Sequence, residues 1–189
     1  MKLEDARAIA ESIEALLKPA THRIQIAGSI RREKSEVKDI EYVALVSDWD
    51  ELYTRIGRIG YTIKPGTPEV IPWEGKRDAK YIRIMTHEDI KIDLFVASED
   101  NWGPLLTMRT GSASGGDGKP FSGFVPALFQ RWKKISGGGR MIGCMPTYPD
   151  GTSVVCREEE DFFNLLGMNV PPPQLRTEKG VIKKFLKDS

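Results

Sequence analysis

The stretch Asp39-Ile-Glu-Tyr-Val-Ala-Leu-Val46 decides how the rest of the chain is interpreted. Its run of apolar residues predicts a β-strand over residues 39–46. Side chains alternate along a strand, so Asp39 and Glu41 point to one face. Ile40, Tyr42 and Ala44 alternate with them and can supply a packed face. The sequence therefore predicts two carboxylates side by side on one face of a sheet.

A third acid stands in a similar setting. The segment 80–96 predicts a hairpin that turns at His87-Glu-Asp89, and its second arm is Ile90-Lys-Ile-Asp-Leu-Phe-Val96. Asp93 is on the opposite face of this arm from its apolar neighbours. If the two acid-bearing strands are adjacent, three carboxylates converge.

Such a cluster needs neutralisation, because two carboxylates about 4 Å apart repel by roughly 4 kcal/mol at an effective dielectric constant of 20. Protons, basic side chains or divalent cations can supply it. With no His or Cys nearby, the oxygen ligands favour Mg²⁺, for which Mn²⁺ can substitute. Two such ions suit in-line phosphoryl transfer. Asp39, Glu41 and Asp93 are therefore the candidate catalytic residues and metal ligands.

About ten residues upstream lies Ala27-Gly-Ser-Ile-Arg-Arg32. We predict a strand over 23–27 that turns at Gly28 into a short helix, with Ser29 as its N-cap. Free backbone N–H groups and a hydroxyl at a helix start suit an anion, and an arginine adds a charge-assisted contact to phosphate oxygens. Each of these patterns alone is common in a turn or on an exposed strand. Their order along the chain is what favours a functional site.

The remaining pattern predicts an α+β fold in two parts. In the first part, helices are expected over 3–18 and 49–58, with an extended segment over 61–64. The boundary is expected after Ser98, which gives domains of residues 1–98 and 99–189. The second part predicts a flexible loop over 114–120, a helix over 125–134, a hairpin that turns at 149–151 and a helix over 158–166.

Composition sets wider limits. The 189 residues carry 28 Lys and Arg against 27 Asp and Glu, so only the local distribution of charge bears on nucleic-acid binding. No window approaches 18 consecutive apolar residues, and the first residues do not resemble a secretory signal, so no membrane partner is expected and the expected location is cytoplasmic. Cys144 and Cys156 lie symmetrically about the turn at 149–151 and could face each other, but reduced thiols are expected in that setting.

The motifs resemble those of a known family. Gly28-Ser-Ile-Arg-Arg32 followed by Asp39-Ile-Glu41 is similar to the signature of the polymerase beta-like nucleotidyltransferases. In the second half, Asn101-Trp-Gly-Pro-Leu-Leu106, Thr110-Gly-Ser112 and the segment 157–176 resemble the DNA polymerase X family. The resemblance covers nearly the whole chain, and the layout is similar to that of small virus-encoded members, which would act in a host cytoplasm.

The resemblance implies a nucleotidyltransferase palm, made of a mixed β-sheet with flanking helices, and a small α/β thumb. It implies a DNA-directed DNA polymerase that adds a dNMP from a dNTP to a primer 3′-OH, with gapped or primed DNA as partner, in gap filling or repair. Ser29 and Arg32, with Gly28, would bind the β- and γ-phosphates. The three acids would hold two Mg²⁺ ions, and Asp93 would receive the primer proton. Thr110, Gly111 and Ser112 would lie along the sugar of the nucleotide.

Three features depart from the family pattern. Glu41 replaces the second Asp of the signature, and Lys38 replaces the Gly before the first. Met108 and Arg109 stand where aromatic residues precede the Thr-Gly-Ser turn. These departures leave open a template-independent or small-molecule nucleotidyltransferase. A non-catalytic DNA-binding module is a third alternative, which the presence of all three acids disfavours.

No deoxyribose-phosphate lyase activity is expected, and the protein is expected to be a monomer.

Basic and aromatic residues could hold the DNA. Trp73, Trp102 and Trp132 could stack on bases, with core packing as the alternative. The candidate DNA-binding residues are Lys119, Arg131, Lys133, Lys134 and Arg140.

Overall fold

A computed structural model describes residues 1–64, 77–115 and 119–188. The chain divides into two compact units, Met1–Ala97 and Ser98–Ser189, one residue before the boundary expected from the sequence. The described residues form a mixed α+β structure with seven α-helices and a five-stranded mixed sheet. Trp73 and residues 116–118 of the expected loop lie outside the described residues.

The first unit contains the five-stranded sheet. Its elements are α1 (Leu3–Leu17), β1 (Thr21–Ile26), α2 (Gly28–Arg31), β2 (Ile40–Val46), α3 (Trp49–Ile59), β3 (Gly60–Ile63), β4 (Tyr81–Thr86) and β5 (Lys91–Val96). The predicted helices and strands of this unit are confirmed to within two residues at each end, except that the short helix predicted over residues 30–34 spans Gly28–Arg31.

The strand order is β1-β2-β5-β4-β3. β5 pairs parallel with β2 and antiparallel with β4, while β1 with β2 and β3 with β4 are antiparallel pairs. The two acid-bearing strands are therefore neighbours at the centre of the sheet.

One face of this sheet forms the core of the unit. Ile40, Tyr42 and Ala44 of β2 are buried together with apolar residues of β4, β5, α1 and α3. The Tyr42 hydroxyl donates to the Ala10 carbonyl at 2.7 Å, which ties β2 to α1. Because these side chains alternate with the acids, packing this face on the helices turns Glu41 and Asp93 to the other face.

The second unit combines helices with a short two-stranded hairpin. Its elements are α4 (Trp102–Thr110), α5 (Phe124–Ile135), β6 (Arg140–Ile142), β7 (Met145–Thr147), α6 (Glu159–Leu165) and α7 (Val181–Lys184), with short 3-10 helices at Glu99–Asn101 and Pro173–Leu175. Its core gathers apolar residues of α5, α6 and α7, among them Phe124, Trp132 and Phe163.

A buried ion pair links three segments of the second unit. Arg176 is 1 % exposed, and its guanidinium donates to both carboxylate oxygens of Glu159 at the start of α6. Glu159 also accepts from the Thr107 hydroxyl of α4 at 3.1 Å, and Arg176 donates to the Pro171 carbonyl at 2.9 Å. The pair thus joins α4, α6 and the segment that follows α6.

Three local features differ from what the sequence predicts. Ser29 is not an N-cap, because Ala27 holds that position without a side-chain cap and Ser29 lies inside α2. The segment around Trp102 was not predicted to be helical, but it forms α4. The β6–β7 hairpin turns at Gly143–Cys144, where both residues have positive φ. The chain also turns back at 149–151 as predicted, with an antiparallel bridge between Thr147 and Ser153 and a Tyr148 N–H that donates to the Thr152 carbonyl at 2.8 Å, but residues 152–158 after that turn form no strand.

The cysteines are accordingly not cross-strand partners. Cys144 lies in the β6–β7 turn itself, and Cys156 is buried in the core of the second unit. Both are free thiols, as expected. In the described part of the chain, no helix is both long enough and apolar enough to cross a membrane.

Candidate functional site

Glu41, Asp93 and Arg83 form a row across three adjacent strands. Glu41 of β2 is the register partner of Asp93 of β5, which is in turn the partner of Arg83 of β4. Paired residues of neighbouring strands project from the same face. Asp39 lies one residue before β2 and two before Glu41, so it lies on this side too. The three acids therefore lie on one side of the sheet, and their gathering around a shared ion stays a prediction.

Asp93 is held by two side chains of β4. Arg83 donates from Nε to Oδ1 at 2.7 Å and from Nη2 to Oδ2 at 3.0 Å, and the Tyr81 hydroxyl donates to Oδ1 at 2.7 Å. Asp93 is 6 % exposed, so a bidentate arginine contact is what makes the buried charge tolerable. The hydrogen bond to Asp93 raises the pKa of Arg83. Burial, and then Asp93, raises the pKa of Tyr81 above its usual value.

Asp39 forms an ion pair with a lysine of β5. Lys91 Nζ lies 2.9 Å from Asp39 Oδ2, and Lys91 is two residues before Asp93 on β5. Basic side chains thus contact both Asp39 and Asp93 in this structure. No group of three or more His, Cys, Asp or Glu side chains within residues 1–64, 77–115 and 119–188 is arranged to hold a metal ion. A metal at these acids therefore has to compete with Lys91 and Arg83.

Glu41 lies directly against α2. Gly28 has a φ of +60°, and its backbone is so close to Glu41 that a Cβ atom would lie 1.9 Å from Glu41 Oε2. The Ala27 N–H donates to the Glu41 carbonyl at 2.8 Å. Burial lowers the pKa of the Arg32 guanidinium, and the Glu41 carboxylate opposes that shift. The Gly-Ser-X-Arg-Arg motif is therefore placed against the second acid.

A cavity of about 380 Å³ opens between the motif and the acids. Its lining has two hydroxyls, three cations and three carboxylates, from Ser29, Arg32, Lys34, Ser35, Glu36, Lys38, Asp39 and Glu41. The volume lies within the usual range for small-molecule sites. Its walls are much more polar than usual, which favours a charged ligand.

Ser29 contributes a hydroxyl that is ready for a ligand. Its Oγ is buried and makes no hydrogen bond to any residue that the structure describes. A buried polar atom without a partner costs free energy, and such atoms in native structures are often satisfied by a ligand or by water. Because Ser29 lines the cavity, the hydroxyl is available to an anion bound there.

The Thr110–Ser112 turn belongs to the second unit and is tightly packed. Thr110 is fully buried, so its side chain is part of the packing. The Ser112 N–H donates to the Arg176 carbonyl at 2.9 Å, and the Val125 N–H donates to the Ser112 carbonyl at 3.0 Å. A Cβ atom on Gly111 would lie 2.6 Å from Cγ2 of Val125. The turn is thus packed between the segment after α6 and the start of α5.

The candidate DNA-binding residues differ in how available they are. Lys133 and Lys134 are exposed at the end of α5, and Lys119 and Arg140 are exposed. Arg131 is half-buried and donates from Nε to the Leu166 carbonyl, so it has a structural contact at the end of α6. Trp102 and Trp132 are buried, which means that core packing, and not base stacking, is their role.

Several residues of the site were missed from the sequence. Tyr81 and Arg83 alternate with Ile82 and Ile84 on β4, and that pattern marks a polar strand face opposite the core. Lys91 could have been found in the same way from its position two residues before Asp93. The buried pair of Glu159 and Arg176 had no such signal, because an acid at a helix start is usually exposed to solvent.

No protein-family model matches this chain, and no curated protein matches it in sequence.

Proposed function

We propose that the chain is a nucleotidyltransferase of the DNA polymerase X type, which adds a dNMP from a dNTP to a primer 3′-OH and releases pyrophosphate. The observation that carries the proposal is the register pairing of Glu41 with Asp93, with Asp39 two residues before Glu41. Two of these acids, Asp39 and Glu41, line a polar cavity together with Ser29 and Arg32, whereas Asp93 is not part of that lining. Carboxylates beside a phosphate-sized pocket of hydroxyls and cations suit transfer of a phosphoryl group.

The donor set fits Mg²⁺. Asp39, Glu41 and Asp93 offer only hard oxygen atoms, and no His or Cys lines the cavity. Asp93 Oδ2 accepts one described hydrogen bond, from Arg83, so it retains a lone pair for another partner. When bound, the metal would activate the attacking hydroxyl and offset the charge that develops on the phosphate oxygens.

The protein's own groups would orient the reactants. The buried Ser29 hydroxyl would donate to a phosphate oxygen, and Arg32 would offset charge on the pyrophosphate that leaves. Asp93 would receive the proton of the primer hydroxyl on its carboxylate. Arg83 and Tyr81 would keep that carboxylate aimed at the reacting atoms while the proton moves.

A second candidate is a template-independent or small-molecule nucleotidyltransferase. Met108 is packed against the core of the second unit, at the position where the resembled family has an aromatic residue. The usual aromatic contact to the sugar is therefore absent from that position, which favours looser control of the acceptor or of the nucleotide.

Primer extension tests both candidates. We expect the wild-type chain to extend recessed, nicked or gapped DNA with dNTPs and Mg²⁺, and Asp39→Asn to extend none of them. Asp50→Asn is the matched control, because Asp50 is an exposed acid of the same unit that pairs with Arg77 outside the cavity. Failure of the wild type on every DNA would reject the polymerase, and incorporation that ignores the template base would favour the second candidate.

A further inference from the structure

The chain between α2 and β2 forms the outer wall of the cavity. Lys34, Ser35, Glu36 and Lys38 all line the cavity, and all four are exposed. The inner end is formed by Ser29, whose hydroxyl is buried, and by the half-buried Arg32. A ligand in the cavity would therefore contact Ser29 and Arg32 at the inner end and Lys34 and Lys38 at the opening.

Backbone contacts hold this wall in place. The Lys34 N–H donates to the Ser29 carbonyl at 3.0 Å, just after Glu33 turns the chain with a φ of +56°. The Leu3 N–H donates to the Ser35 carbonyl at 3.2 Å, and the Val37 N–H donates to the Met1 carbonyl at 2.9 Å. Val37 is buried between the two lysines in sequence and anchors the segment in the core. The wall is thus fixed on both sides by the rest of the first unit.

The side chains of Lys34 and Lys38 are available to bind a ligand. Neither Lys34 nor Lys38 forms an ion pair with another described residue, whereas Lys91 on the same side of the sheet is paired with Asp39. Lys38 also stands directly before Asp39, where the resembled signature has a glycine. A cationic side chain at this position is therefore a feature of this chain and not of the motif.

The charge of the cavity shows what the lysines contribute. Without them, Arg32 would be the single cation in the lining, against the carboxylates of Glu36, Asp39 and Glu41. Such a lining repels a polyphosphate unless the charge of the carboxylates is offset. With Lys34 and Lys38 present, the mouth of the cavity offers two further charge-assisted contacts to anionic oxygens.

We propose that Lys34 and Lys38 are specificity-determining residues that make the cavity select a chain of three phosphates over shorter phosphates. This inference rests on the proposed function, in which the cavity binds the phosphates of a nucleoside triphosphate. The α-phosphate lies at the acids, the β- and γ-phosphates contact Ser29 and Arg32, and the terminal γ-phosphate also reaches the lysines of the wall. Selection follows because only the longest anion reaches both ends of the cavity at once.

Direct binding tests the inference without catalysis. The affinities of tripolyphosphate, pyrophosphate and orthophosphate are measured by calorimetry at one fixed Mg²⁺ concentration and low salt. The proteins compared are the wild type, Lys34→Met, Lys38→Met and the double variant. Lys18→Met is the matched control, because Lys18 is exposed on the same unit but does not line the cavity. Met keeps the length of the stem, and thermal melts establish that each variant is folded.

We expect each lysine substitution to weaken tripolyphosphate binding roughly tenfold, which is the scale of one charge-assisted contact. Orthophosphate binding is expected to change less than about threefold, since it needs only the inner end. The control is expected to match the wild type. The inference is overturned if the wild type does not prefer tripolyphosphate, or if the double variant keeps that preference.

Steady-state kinetics separates this inference from the proposed function. If the wild type extends primers and the lysine variants show an unchanged KM for dNTP, the inference fails and the function stands. If neither the wild type nor any variant transfers a nucleotide, but the lysines still determine the preference for tripolyphosphate, the function fails and the polyphosphate site stands.

Discussion

The side chain of Glu41 occupies the space that a side chain on Gly28 would need. A Cβ atom at Gly28 would lie 1.9 Å from Glu41 Oε2, and the φ of +60° at Gly28 is itself unfavourable for any residue with a Cβ. The glycine of the phosphate motif and the second acid are therefore one packed unit. A side chain at position 28 therefore requires Glu41 to move.

Gly28→Ala should abolish nucleotide transfer and lower stability by about 1–3 kcal/mol, because the new methyl group displaces Glu41 and the backbone is strained. Gly57→Ala is the control. Nothing lies within 4 Å of a Cβ at that helical position, and a gain of roughly 0.5–1 kcal/mol is expected there. Urea unfolding and primer extension measure the two effects. A Gly28→Ala protein with wild-type activity would show that Glu41 is not a ligand in the reaction.

Asp93→Asn and Asp39→Asn should both abolish transfer but differ in stability. From the sequence alone, both changes would be expected to relieve repulsion and leave the fold intact. The structure changes that expectation for Asp93. Its replacement removes the charged partner of Arg83, so a loss of about 1–3 kcal/mol is expected without divalent ions. Asp39 pairs with Lys91 in a more exposed setting, and its replacement should cost less than about 1 kcal/mol. Equal stabilities in metal-free urea titrations would contradict this difference.

Glu159→Leu and Arg176→Met should each destabilise the second unit by about 3–5 kcal/mol, because each leaves an uncompensated buried charge. The double variant should regain most of that loss, since an apolar pair has no charge to desolvate. Arg157→Met is the control, because Arg157 and Asp100 form an exposed pair at 3.8 Å. Thermal unfolding of the wild type and the four variants checks the pattern. Additive losses in the double variant would show that the two residues do not act as a pair.

Cys156 should make stability fall in alkaline solution. Burial, with a smaller effect from Asp161, raises the pKa of the thiol from 9.0 to about 11. The folded protein therefore holds this proton more tightly than the unfolded chain, so the contribution is fully present below pH 9 and is lost as the pH rises to 11. Cys156→Ala should have a flatter profile of unfolding free energy over that interval. Identical slopes for wild type and variant would exclude the thiol as the cause.

Much of the first unit was predictable from the sequence because each of its strands has one apolar face. The alternation in residues 39–46 and 90–96 indicated which side chains pack, and the acids followed on the other face. The alternation of apolar and polar residues does not show which strands are neighbours in the sheet. The pairing of Glu41 with Asp93 depends on β5 lying between β2 and β4, which is a long-range property of the sheet.

The second unit was less predictable for physical reasons. Helix α4 has no clear apolar stripe because it is buried on nearly all sides, so the period that marks a surface helix is missing. The sequence predicts a hairpin that turns at 149–151 because Pro-Asp-Gly is a strong turn signal. The β6–β7 turn at Gly143–Cys144 instead relies on a non-glycine residue with positive φ, which sequence patterns disfavour. The ion pair of Arg176 was hidden because its partner is distant in sequence.

The position of β5 has a consequence for how the protein is made. β5 is the last strand of the first unit along the chain, yet it occupies the middle of the sheet. A nascent chain that has not yet released Lys91–Val96 from the ribosome carries Asp39 and Glu41 on a strand with one unsatisfied edge, which invites pairing with a foreign strand. The third acid, Asp93, and the pairing that covers the free edge of β2 therefore arrive together, with the final six residues of the sheet.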